Sequence, residues 1–204
     1  MKFRFAYILF AFVLIACNEE QRLLYYSQDK ADQFVEQYAE DFLKDEELLI
    51  YSYHPRAQFT CSKGATNSYR IFLRANEIRL FCFSDSCELK EPFNKIPLTI
   101  PNGTYTIKQD SIITELNSSS TSQAHLFEQN PVDYFMALKR RLDQYGVFAY
   151  AESKDQSFVK VWFSVQHYLI QSENIENDIK EDEILKSYNN NWYFVKMKRQ
   201  MDLG

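Results

Sequence analysis

The stretch Tyr69 to Phe83, YRIFLRANEIRLFCF, decides how the rest of the chain is read. A turn centred on Ala75 and Asn76 pairs Arg74 with Glu77, Leu73 with Ile78, Ile71 with Leu80, and Tyr69 with Cys82. Opposed residues of a hairpin share a face, so Tyr69, Ile71, Leu73, Ile78, Leu80 and Cys82 form one side. The other side mixes Phe72 and Phe81 with Arg70, Arg74 and Arg79. The apolar set faces a core and the arginines face water, as expected of a half-buried antiparallel sheet.

Working outward, LLIYSY (48–53) and AQFTC (57–61) read as strands before the hairpin. IPLTI (96–100), TYTIK (104–108) and SIITEL (111–116) follow it, with Asn102-Gly103 and Gln109-Asp110 as turn signals, which makes a meander over 48–116. NSSSTSQ (117–123) is a polar loop. VFAYAE (147–152), the long run FVKVWFSVQHYLIQ (158–171) and WYFVKMK (192–198) supply further strands. The long run would place Val159, Val161, Phe163, Val165, His167 and Leu169 on one face and needs a bend or bulge. Two helices frame these strands. Over 29–46, Asp29 offers an N-cap, and Ala31, Phe34, Val35, Tyr38, Phe42 and Leu43 form an apolar stripe. Over 131–145, Asn130 caps, Pro131 and Asp133 suit the first turn, and Gly146 ends the helix. A helical turn fits around Ile179 to Leu185. The sum is an α+β fold with a mostly antiparallel sheet, forming one globular domain over 29–204.

Composition agrees with a folded domain. Of 204 residues 46% are hydrophobic and 16% aromatic, with only 4 Gly and 5 Pro, which disfavours disorder. The net charge of −5 argues against nucleic acid as a partner, because phosphate binding requires clustered positive charge.

The first residues carry a different message. Lys2 and Arg4 precede twelve uninterrupted apolar residues, Phe5 to Ala16, which has the make-up of a secretory signal and is short of the roughly 20 residues that span a bilayer. Leu14-Ile15-Ala16-Cys17 resembles the lipobox of bacterial lipoproteins, a resemblance confined to residues 1–17. It implies cleavage after residue 16, a diacylglycerol on the Cys17 sulfur and acylation of the new amino group, leaving 17–28 as a lipidated tether. Two or more chains hold a protein stably on a bilayer where one does not. Asn18 in place of aspartate implies outer-membrane sorting, and Asn18-Glu19-Glu20 is similar to the acidic tag of surface-exposed lipoproteins. Loss of Lys2 and Arg4 with the signal would take the formal charge to −7.

With Cys17 acylated, Cys61, Cys82 and Cys87 are an odd set in an oxidising compartment. The spacing favours a Cys82–Cys87 disulfide, with Cys61–Cys82 as the competing pair. Thiols and His54 match no paired zinc spacing, and no cofactor motif is present. His54 lies in a turn, His125 in a Ser-rich loop and His167 on an apolar strand face, with no triad spacing among them. Asp178, Glu181, Asp182 and Glu183 read as a solvated acidic loop, and Lys139, Arg140 and Arg141 as a complement to a helix dipole. The expectation is therefore a lipid-anchored domain that binds an envelope protein or an external ligand. The alternative is an envelope hydrolase with a site of scattered Asp, Glu, His and Tyr residues.

Overall fold

A computed structural model describes residues 2–56, 58–61, 68–74, 76–89, 98–108, 111–114, 120–122, 129–153 and 157–202, with side chains from Glu19 onward except at 58, 98, 111–114 and 120–122. Its elements in chain order are α1 (Lys2–Gln37), α2 (Ala39–Lys44), α3 (Glu46–Leu49), β1 (Tyr51–His54), β2 (Gln58–Cys61), β3 (Tyr69–Arg74), β4 (Glu77–Leu89), β5 (Leu98–Lys108), β6 (Ser111–Thr114), β7 (Ser120–Ser122), α4 (Pro131–Gln144), β8 (Ala149–Glu152), β9 (Phe158–Trp162), β10 (His167–Ser172), α5 (Ile175–Ile179), β11 (Glu183–Ser187) and β12 (Trp192–Lys196). The fold is α+β. All described strands join one antiparallel sheet in the order β11-β12-β10-β9-β8-β1-β2-β3-β4-β5-β6-β7. Seven strands follow the chain as a meander, and a second group of five is joined to them through Tyr53 opposite Tyr150.

Register explains the core. Phe194, Leu169, Val161, Tyr150, Tyr53, Phe59, Ile71, Leu80 and Tyr105 stand opposite one another in succession across nine neighbouring strands. Every one is buried. Side chains alternate across a strand, so this row and its neighbours make one continuous apolar face. Phe34 and Phe42 from α1 and α2, Leu48 from α3, and Phe135, Leu138 and Leu142 from α4 pack into the same core.

The hairpin β3–β4 has the register read from the sequence, from Arg74↔Glu77 to Tyr69↔Cys82. Elsewhere the boundaries move. The helix expected over 29–46 is the tail of α1 followed by two short helices. The chain kinks at Tyr38, and Asp45 ends α2 while its carboxylate accepts the Leu48 N–H at 3.0 Å to cap α3. Residues 17–28 are helical and belong to α1. The strand expected over 48–53 begins later, at Tyr51, because Leu48 and Leu49 close α3.

Asn102-Gly103 makes no hairpin. β5 runs straight through it, because the thirteen-residue β4 offers a ladder on both sides: Cys82 pairs with Gly103, and the register shifts before Ser86 pairs with Pro101. Gly103 sits at φ 154°, and the Tyr105 hydroxyl donates to the Pro101 carbonyl at 2.8 Å, so the pair marks a bend within a strand. Cys82 and Cys87 are bonded across that shift, with Cα atoms 5.8 Å apart.

The long run 158–171 is a hairpin rather than one bent strand. Phe163 to Gln166 turn the chain, with the Ser164 Oγ accepting from the backbone N–H of Gln166 (3.3 Å) and His167 (3.1 Å). The helical turn expected around Ile179 to Leu185 lies earlier, at α5, and Glu183 onward is the edge strand β11. Part of the loop expected over 117–123 pairs as β7.

Candidate functional site

The sheet face opposite the core divides in two. Under the second group of strands, Tyr168, Ile170 and Val195 form a small apolar cluster roofed by Ile179 of α5. Under the meander, the row Ser52, Thr60, Arg70, Phe81 and Thr104 points away from the core, beside Phe72, Arg79 and Thr106. Phe72 meets Phe81 edge-on at 5.2 Å, Phe81 and Phe83 lie nearly parallel at 6.5 Å, and the Arg70 guanidinium sits 5.1 Å above the Phe83 ring. Phe83 is 53% exposed and Arg70 and Arg74 are exposed, so rings and guanidinium groups share an open surface. Arg74 and Lys108 both reach Glu77, at 3.9 and 3.7 Å. Phe83 continues the alternation that places Phe81 on this face, and extending the hairpin by one position finds it.

The candidate catalytic residues are scattered. His54 accepts the Arg56 N–H in its turn at 3.2 Å, and His125 lies outside the described residues. Cys61 is buried opposite Tyr69, which separates it from Cys82 by one strand, and the competing disulfide is therefore not formed. Among the described residues no three His, Cys, Asp or Glu side chains are grouped to hold a metal ion. The side chain of Cys17, at residue 17 within α1, is outside the described set.

The acidic segment is less solvated than its sequence suggests. Asp182 accepts the Tyr168 hydroxyl and the Lys198 N–H, both at 2.9 Å, Asp178 accepts the Ser172 hydroxyl at 2.5 Å, and Glu181 pairs with Lys198 at 2.6 Å. Burial and the Asp182 carboxylate hold the Tyr168 phenol far above its ordinary range. Arg141 likewise does more than complement a dipole: its two terminal nitrogens fork between Asp45 and Glu47, at 2.9 and 2.6 Å, tying α4 to α3.

His167 is fully buried, stacked on Phe194, with Nδ1 3.2 Å from the Ser164 hydroxyl oxygen. Ser164 Oγ already accepts two backbone N–H groups, so its own proton goes to Nδ1 and the imidazole carries its proton on Nε2. Nε2 has no partner among the described residues. Burial, then the Lys196 charge, lowers the imidazole pKa from the ordinary 6.5, and Glu20 opposes the shift. An unfolded imidazole therefore takes up a proton, as pH falls below 6.5, that the folded one refuses. The His167 contribution to stability is full above that pH and is lost as pH falls below it. We expect the thermal midpoint to fall on acidification from about pH 7.5 to about 5.5 more steeply in the native chain than in His167→Gln; parallel profiles would contradict this.

Compared with protein-family models, curated proteins and solved structures, the chain matches none.

Proposed function

We propose that this chain is an envelope lipoprotein, held on the outer membrane by lipid at Cys17, whose folded domain binds a partner. The lipobox-like Leu14 to Cys17 supports the anchor. The observation that carries the binding role is the open face of Arg70, Phe81 and Phe83. A guanidinium held over an aromatic ring on a sheet, as Arg70 is over Phe83, suits an anionic group carried on a flat or ring-shaped body. A cationic patch on a chain of net charge −5 selects for an acidic partner, so an anionic envelope polymer at the bacterial periphery is the ligand class it fits.

The test is retrieval from bacterial membranes with the lipidated protein. Mass spectrometry should show a processed chain beginning at an acylated Cys17, and Cys17→Ser should move the protein from the membrane to the soluble fraction. Arg70→Glu with Arg74→Glu should abolish retention of acidic envelope polymer while leaving anchoring intact. An unmodified Cys17 would defeat the anchor, and full retention by the charge-reversed variant would defeat the binding face.

A further inference from the structure

On the other half of the outer sheet face, between β9, the α5 region and the segment after β12, lies an open cleft of about 740 Å³. Its walls carry Phe158, Ile179 and Met197 together with the cations Lys160, Lys180 and Arg199. That volume is in the range of small-ligand sites, and the lining is mostly charged, with Phe158, Ile179 and Met197 as its apolar part.

The distribution of charge within the cleft is informative. Each acid has a partner: Asp178 takes the Ser172 hydroxyl, Asp182 takes Tyr168 and the Lys198 amide, and Glu181 takes the Lys198 ammonium. The remaining cations are less well served. Lys160 Nζ has three protons to donate and reaches one acceptor, the Asp178 carbonyl at 3.3 Å, with its other sides against the rings of Tyr168 at 4.8 Å and Phe158 at 5.1 Å. Burial lowers its pKa, while the nearby Asp182 and Asp178 charges favour the ammonium. Lys180 is held at φ 54°, a backbone conformation uncommon outside glycine, and neither it nor Arg199 forms an ion pair among the described residues.

We infer that this cleft binds a small organic monocarboxylate, its carboxylate accepting from Lys160 and the rim cations Lys180 and Arg199 and its hydrocarbon body lying over Phe158, Ile179 and Met197. A half-buried ammonium short of acceptors is completed by such an oxygen pair. Asp178 and Asp182 also line the cleft and oppose each negative charge a ligand brings, which favours a carboxylate monoanion over a phosphate dianion. The inference goes beyond the proposed anchor and the arginine face, using none of their residues.

The test is calorimetric titration of the full-length protein in detergent micelles with 3-phenylpropionate, against micelles alone. The matched alcohol 3-phenylpropanol and the dianion phenyl phosphate serve as comparison probes. We expect the carboxylate to bind about tenfold more tightly than either, and Lys160→Met to weaken it by about tenfold. Lys180→Glu, an exposed change that leaves the Lys160 packing intact, is expected to weaken it severalfold and decides the matter if Lys160→Met fails to fold. Equal binding of acid and alcohol, a preference for the phosphate, or unchanged affinity in Lys180→Glu would overturn the inference. None of these results bears on Cys17 acylation or on polymer retention, which are read separately.

Discussion

Replacing Phe34 with Ala is expected to destabilise the protein by about 4 kcal/mol, in the range of large buried aromatic truncations. Phe34 is fully buried and meets Phe42 at 5.4 Å and Phe163 and Trp192 at 5.8 Å each, all edge-on. One ring thus joins α1 to α2, to the β9–β10 turn and to β12, and its loss opens a cavity bordered by three rigid aromatics that cannot collapse into it. Urea unfolding followed by far-ultraviolet circular dichroism measures the cost. Tyr25, 71% exposed on the same helix, is the control, and Tyr25→Ala should change stability by less than about 0.5 kcal/mol. A similar small loss at Phe34 would mean that α1 is not docked as described.

Arg141→Ala is expected to cost about 2 kcal/mol, for an electrostatic reason. The Asp45 side chain is only 9% exposed and accepts two hydrogen bonds from the guanidinium, at 3.1 and 2.9 Å, while also capping α3. Removing the arginine leaves a buried carboxylate with one N–H for company. Arg141→Lys should recover little, since a single ammonium cannot fork between Asp45 and Glu47. A double-mutant cycle with Asp45→Asn should show a coupling of about 1 kcal/mol or more; simple additivity would mean the bridge contributes nothing.

How far the sequence reveals this molecule depends on where each signal's partner lies. α4 was readable almost to the residue because its determinants are local: Asn130 accepts the Val132 N–H at 2.9 Å, Pro131 opens the helix and Gly146 leaves it at φ 68°. The β3–β4 hairpin was readable for the same reason. Asn102-Gly103 misled because the choice between a turn and a bend was made by the length of β4, a neighbour the local residues do not encode. Ser164 gives no local turn signal because its apolar neighbours continue a strand pattern, and only the hydroxyl's bonds to the next backbone groups make the turn. The role of Arg141 depends on Asp45, 96 positions away. The cleft around Lys160 draws on three segments that meet only in the folded sheet, so no spacing in the chain announces it, whereas the arginine face follows directly from alternation in one hairpin.

The attachment of α1 also has a mechanical side. Asp32 accepts Lys186 at 2.7 Å and the Tyr188 hydroxyl, and Glu20 pairs with Lys196 at 2.6 Å, so the helix is pinned at these two positions to β11, to the residue that follows it and to β12. Under the proposed lipid anchor at Cys17, a pull from the bilayer would reach the sheet first through these contacts, at the β11 and β12 margin. The arginine face stands on the far side of the Tyr53–Tyr150 joint, away from that margin.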